Sequence, residues 1–278
     1  MKISFIGHVS IDVNVIKNKE EVHYGGGVVH GAITAFRLNQ QVEVITKCKP
    51  EDQVNFSKLF DSEIAAVFIN ASHSTSIKNV YPTDNPDDRK SYLLSAGDPF
   101  TDQDVSNICS KYVHINPLWA GEFPVHLFAG LRKNAKFLSA DAQGFVRHVS
   151  DDTDHALINR DFAEKQQVLP LLDLFKVDSK EALILTGETD IRPAAAAIKE
   201  LGPKIVLLTH KGGVCVFDGK DFYESPFTSF TLEGRTGRGD TCTAAFLSAL
   251  NQSDIKAATA FAAQVTSRKM QYRGPYRG

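Results

Sequence analysis

The feature that most constrains this chain is a rhythm: short apolar runs rich in β-branched residues alternate with amphipathic stretches over most of its length. That alternation predicts βα units, in which strands of a largely parallel sheet are joined by crossover helices. Runs at 2–8, 42–46, 65–69, 111–115, 136–140, 173–177 and 204–209 predict the strands. Windows near 28–38, 51–60, 101–109, 122–133, 179–186 and 191–201 predict the helices between them. Two C-terminal helices follow from the spacing of Cys242, Ala245, Phe246, Ala249 and Leu250, and then of Ile255, Ala258, Ala262 and Val265.

Three segments break the rhythm. Between 210 and 231, Gly212, Gly213, Asp218, Gly219 and Pro226 punctuate brief strands such as Gly213 to Phe217, which predicts antiparallel hairpins at one edge of the sheet. Residues 13–24 and 75–95, the latter around the turn-rich Pro82 to Asp88, predict a small β-sheet lid. A chain of 278 residues, 42% of them hydrophobic, can fill one main domain over 1–278 with those lid strands attached.

The 31 Lys and Arg nearly balance 33 Asp and Glu, so there is no electrostatic case for nucleic acid or a membrane surface, and a small molecule is the expected ligand. The four cysteines, at 48, 109, 215 and 242, form neither a metal pair nor a disulfide framework and are expected as reduced thiols. No stretch approaches about 18 uninterrupted apolar residues, and the expected location is the cytoplasm.

The chemistry concentrates in Gly234-Arg235-Thr236-Gly237-Arg238-Gly239-Asp240-Thr241, where glycines directly precede a strongly periodic helix. Helix N-termini bind anions through unpaired amides and the positive end of the dipole, and glycine removes the Cβ that would keep a phosphate away. Simple capping of the helix by Thr241 or Asp240 is the competing explanation. Amides that bind equatorial oxygens beside a carboxylate that accepts a hydroxyl proton are also what phosphoryl transfer to an alcohol requires.

Thr236-Gly237-Arg238-Gly239-Asp240 resembles the D-T-x-G-A-G-D signature of the ribokinase-like (PfkB-type) carbohydrate kinases, with Gly234 and Arg235 in place of the leading Asp and Thr and Arg238 in place of Ala. The resemblance implies Asp240 as catalytic base and Gly237, Arg238 and Gly239 as the anion hole. Arg238 either adds a cation near the phosphate or points to solvent. Gly7, Asp12, the glycines 25 to 27, His30 and Ala32 follow the family's N-terminal order, implying that Asp12, Gly26, Gly27 and His30, which stands at the usual Asn position, bind the substrate.

Further matches are shorter. Asp178-Ser179-Lys180-Glu181 resembles the N-x-x-E element, implying a magnesium and phosphate role for Asp178 and Glu181, although a helix start explains the same residues. Thr209, Gly212 and Gly213 resemble a shortened nucleotide loop that, with Thr236, would bind the donor, while a tight hairpin turn accounts for the glycines as well. Asp141 and Arg147 match a D-x-Q-G-x-x-R element after a strand, where they would reach substrate or phosphate or else form a surface ion pair.

The family resemblance implies a three-layer α/β/α sandwich and an ATP- and Mg2+-dependent kinase that transfers the γ-phosphate to a sugar or polyol. A nucleoside kinase and a noncatalytic sugar- or nucleotide-binding relative are the alternatives. A dinucleotide-binding oxidoreductase is disfavoured because Gly25 to His30 lacks the final glycine of G-x-G-x-x-G and does not join a strand directly to a helix. The lid also offers a surface through which two copies could pair as a homodimer.

Overall fold

The computed structural model describes residues 1–17, 19–83, 88–108, 110–228 and 234–278; the centre of the predicted lid turn, 84–87, and Cys109 lie outside them. The strands are β1 Lys2–Ile6, β2 Ser10–Ile16, β3 Lys19–Gly25, β4 Gln41–Cys48, β5 Ala65–Asn70, β6 Thr75–Tyr81, β7 Lys90–Ser95 and β8 Tyr112–Ile115. They continue with β9 Phe137–Asp141, β10 Arg147–Val149, β11 Leu157–Asn159, β12 Leu174–Asp178, β13 Ile205–His210, β14 Gly213–Phe217 and β15 Phe222–Pro226. The helices are α1 Gly27–Arg37, α2 Gln53–Ser57, α3 Asp102–Val105, α4 Leu127–Asn134, α5 Gln143–Val146, α6 Lys165–Val168, α7 Ser179–Thr186, α8 Ile191–Glu200, α9 Arg238–Leu250 and α10 Ile255–Lys269.

Among the described residues one sheet holds nine strands in the order β15-β14-β13-β12-β9-β8-β1-β4-β5, and a second holds four in the order β3-β2-β6-β7. From β13 to β5 all pairings are parallel, while β14 and β15 add the antiparallel edge that the glycine punctuation predicts. Chain order reverses between β1 and β8, and in such sheets the crevice at the carboxyl ends of strands flanking a reversal is the natural ligand site.

Period-2 alternation sends side chains to both faces. Ile6, Ile115, Leu138, Phe175, Val177, Val206 and Leu208 pack in one core with α4, α7 and α8. Ile3, Phe5, Val42 and Val44 face α1, and Leu174, Leu207, Val214 and Val216 face α9 and α10. Lys176 shares a face with Leu174, so the pleat alone points it at α9.

Three predicted helices are shorter than their windows, the window 51–60 keeping an α-helix only over Gln53–Ser57. The window 122–133 yields a helix only from Leu127, because Glu122 is turned fully inward, where Oε1 accepts from His8 N at 2.7 Å and Oε2 from Leu118 N at 2.8 Å. A buried carboxylate spent on loop amides cannot begin a surface helix, and here it ties the end of β1 to the loop after β8. The window 101–109 keeps only one turn, closed by a Thr101–Asp104 capping box, with Lys47 Nζ 2.9 Å from Asp104. No helix among the described residues is long and apolar enough to cross a membrane.

Candidate active site

Asn116 directly follows β8, beside β1, at the point where strand order reverses. Its Nδ2 donates to Asp240 Oδ1 at 3.0 Å. Asp240 therefore sits over the carboxyl ends of the sheet, delivered there by the first turn of α9. The first turn of α1 meets it: a Cβ on Gly27 would lie 1.8 Å from Asn116 Oδ1 and 2.7 Å from Asp240 Oδ1. Only a residue without a side chain lets the two helix N-termini close on one carboxylate.

Gly237 caps α9 at φ 78, a left-handed conformation that other residues adopt at a cost. The Arg238 amide donates to Arg235 O at 3.1 Å, so of the three predicted anion-hole amides those of Gly237 and Gly239 remain for a ligand. Beneath Gly239 lies Lys176, its Nζ only 2.9 Å from where a Cβ would stand. Lys176 Nζ is 3.0 Å from Asp141 Oδ2 and 3.7 Å from Glu181 Oε2, and all three side chains are buried. Against the cost of burial, Asp141 first and then the surrounding acids Glu181, Asp178 and Asp240 hold the ammonium firmly protonated.

Burial, with Asp141 as a like charge nearby, pushes the Asp240 carboxyl up to about 6, while Lys176 and Asn116 oppose the shift. A group at that position is unprotonated at neutral pH yet basic enough to take a proton. If Asp240 is the base, kcat/KM is expected to fall tenfold per pH unit below about 6 in a pH–rate profile; a flat profile down to pH 5 would exclude that role.

The remaining candidates fall into distinct places. Asp178 caps α7: its Oδ1 accepts from the Lys180 and Glu181 amides at 2.8 Å, and Glu181 Oε2 accepts from Asp178 N at 2.6 Å. The pair is thus a capping box, with the buried Glu181 also facing Lys176. Thr209 is buried opposite Asp178 in the sheet register. Gly212 and Gly213 lie at the β13–β14 turn, where a Cβ on Gly213 would come 2.4 Å from Ser225 O, so strand packing accounts for at least this glycine. Thr236 is exposed while its carbonyl is gripped by Lys269.

Arg238 does not project freely: its guanidinium lies over the Phe227 ring, 5.8 Å from the centroid. His30 is buried under the turn, with Gly237's Cβ position 2.2 Å from its Nδ1. Burial drives that imidazole down to about 3, so it is neutral. It packs against Gly237, and its Nδ1 has no hydrogen-bond partner among the described residues. Gly26 caps α1 against His8 O.

Asp12 is on β2 in the small sheet, where loss of water raises its carboxyl and Arg147 and Arg89 pull it back. Arg147 begins β10 and feels Asp12 of the small sheet and Glu181 of the main body together. The cross-strand pairs Asp12–Ile77, Asn14–Asn79 and Asn79–Ser91 put Asp12, Asn14, Asn79 and Ser91 on one face with the buried Ile77. Ser91 Oγ donates to Asn79 Oδ1 at 2.7 Å and Asn79 Nδ2 to Asn14 Oδ1 at 3.2 Å. Among the described residues no three His, Cys, Asp or Glu side chains gather as a metal site.

Asn116, Lys176 and Lys269 escaped the sequence reading. Lys176 had a signal, a charge inside an apolar parallel strand, and Asn116 had a weaker one, a polar residue at a strand's carboxyl end. Lys269 had none, because a lysine in the last turn of a helix is ordinary.

A half-buried carboxylate where the strand order of a parallel sheet reverses, in the first turn of a helix that a glycine turn starts, fits a small-molecule phosphotransferase with an alcohol acceptor. A model of pfkB family carbohydrate kinases matches residues 53–278, and the chain belongs to that family. It is 52% identical to a pyrophosphate-dependent kinase of the ribokinase family solved with a pyrophosphate analog and myo-inositol, at TM-score 0.93 over 99% of this chain and 97% of that one. It is 51% identical, at TM-score 0.92 over 99% of this chain and 95% of the other, to a pyrophosphate-dependent myo-inositol-1 kinase converted into a myo-inositol-3 kinase by replacing one Asn and one Ser with Leu. A cytidine kinase of Thermococcus kodakarensis is 24% identical over 87% of this chain and 86% of its own length. Ribokinase of Arabidopsis thaliana, 17% identical at TM-score 0.73, shares the fold over 99% of this chain and 94% of its own.

Proposed function

We propose that this enzyme transfers a phosphoryl group from pyrophosphate, in place of the ATP expected from the family resemblance, to a hydroxyl of a cyclic polyol of the inositol type. The observation that carries the reading is the 52% identity over nearly the whole chain to a pyrophosphate-dependent kinase solved with myo-inositol. The site's charges support it. Pyrophosphate has no base or sugar to recognise, so a protein must bind it through cations and amides. Lys176 lies under Gly239, and Arg235 and Arg238 flank the turn.

In this reading the polyol lies between the polar lid face and Asp240, which accepts the proton of the attacking hydroxyl. The Gly237 and Gly239 amides and Lys176 receive the charge of the migrating phosphoryl group. Magnesium arrives as part of the pyrophosphate substrate: Asp141 and Glu181 are already paired with Lys176, and magnesium keeps most of its water. Asn79 and Ser91, the residue types exchanged in the relative of altered position selectivity, decide which hydroxyl is presented. Asp12→Ala is expected to raise the acceptor KM by about 10- to 100-fold, the worth of hydrogen bonds to one charged group, with donor KM unchanged. An unchanged acceptor KM would place the polyol elsewhere.

Two copies pairing through the open edge strand β3 remains part of the proposal, as does a reducing cytoplasm, with which the free buried Cys48, Cys215 and Cys242 agree. The test is a product assay crossing pyrophosphate and ATP with myo-inositol, ribose, a hexose and cytidine. Turnover confined to pyrophosphate and the inositol is expected. ATP-dependent turnover of cytidine would favour the nucleoside kinase reading that the 24% identical relative suggests, and absence of any product would favour a pure binder.

A further inference from the structure

Lys269, the last residue of α10, is completely buried; burial pulls its ammonium down to about 8, and the attraction of Asp240 opposes that shift. Burying an ammonium is costly unless hydrogen bonds replace its water, so its partners matter. They are two main-chain carbonyls of the turn before α9: Nζ donates to Gly234 O and to Thr236 O. The backbone around Lys269 presses on the same turn, because a Cβ on Gly234 would meet Tyr272 O at 2.3 Å and Lys269 O at 2.6 Å. Gly234 N also donates to Met270 O at 3.1 Å.

The consequence follows from peptide planarity. In a trans peptide the C=O and the next N–H point in opposite directions. Holding the Thr236 carbonyl down onto Lys269 therefore turns the Gly237 N–H away from Lys269.

We infer that Lys269 is a positioning residue, a tethered monovalent cation that fixes the 234–237 turn and aims the Gly237 amide at the transferred phosphate. The inference rests on the reading of Asp240 and its turn as the phosphoryl-transfer site, and it makes a claim of its own: the chain carries the cation this turn needs, so no free one is required.

Two measurements test it. Wild-type turnover, with pyrophosphate and myo-inositol or whichever pair proves active, is expected to be the same within twofold in potassium, sodium and choline chloride at equal ionic strength. Activation of tenfold or more by potassium would overturn the inference, because the turn would then be built around a dissolved ion. In Lys269→Met, turnover is expected to fall about 10²-fold, the usual loss when one oxyanion donor is misaligned. Potassium or ammonium, but not choline, should recover at least tenfold of it and raise the variant's Tm as a ligand does. Loss of activity that no small cation restores in a folded variant, or full activity without one, would also overturn it. Lys269→Gln, which keeps a donor for one carbonyl, serves if the Lys269→Met variant fails to fold, and the wild-type salt series decides alone if both fail. Absence of wild-type activity on every donor and acceptor would instead refute the kinase reading.

Discussion

Asp240→Asn is expected to lower kcat by about 10²- to 10⁴-fold, the usual contribution of a positioned general base, while donor affinity survives. The substitution is nearly isosteric, and Asn116 Nδ2 can still donate to the amide oxygen across the 3.0 Å contact that holds the side chain. The α9 N-terminus and its amides are untouched, so the loss would report proton acceptance and not collapse of the site. Steady-state kinetics with a separate donor-binding titration checks this. Wild-type turnover in the variant would remove Asp240 from the chemistry.

Lys176→Met is expected to have the largest effect on stability. It leaves Asp141 and Glu181, both buried and both within 4 Å of the lost ammonium, facing each other without compensation. Breaking a buried pair in this way typically costs about 3 to 5 kcal/mol. The pH dependence has a definite sign. Burial and neighbouring acids hold Glu181 up at about 8 even with Lys176 present. Between the unfolded carboxyl's value and about 8 the folded state therefore keeps a proton that the unfolded chain releases, and stability falls as pH rises through that window. Without the lysine the repulsion grows, so the deficit should be larger at pH 8 than at pH 5. Denaturant melts of both proteins at the two pH values measure it. A deficit under 1 kcal/mol at pH 8 would mean that water reaches these carboxylates.

Lys176→Met should also weaken the donor, since the ammonium lies directly beneath Gly239. Loss of stability with an unchanged donor KM would assign Lys176 to the fold alone.

The fold was largely legible because its signals are local and repeated. The parallel strands β1, β8, β9, β12 and β13 are mostly apolar on both faces, as parallel strands covered by helices must be, and the edge hairpin carries its own glycine punctuation. Legibility failed where a tertiary contact overruled a local preference. The stretch from Glu122 has helical periodicity, but its first acid is worth more capping the amides of His8 and Leu118.

The same division runs through the site. Sequence by itself determined the glycine turn that starts α9, the acid in its first turn and the extended segments that form the small sheet, because each depends on a few consecutive residues and the conformations they allow. Only the tertiary structure decided that Asn116, 124 residues before Asp240, orients that acid, that Lys176 stands under Gly239, that Lys269 grips the turn and that His30 buttresses Gly237. These are contacts between distant parts of the chain at the ends of a sheet, where strand order and pleat direction set the neighbours. A lysine in a strand or at a helix end carries no mark of its partner until the layers close on it.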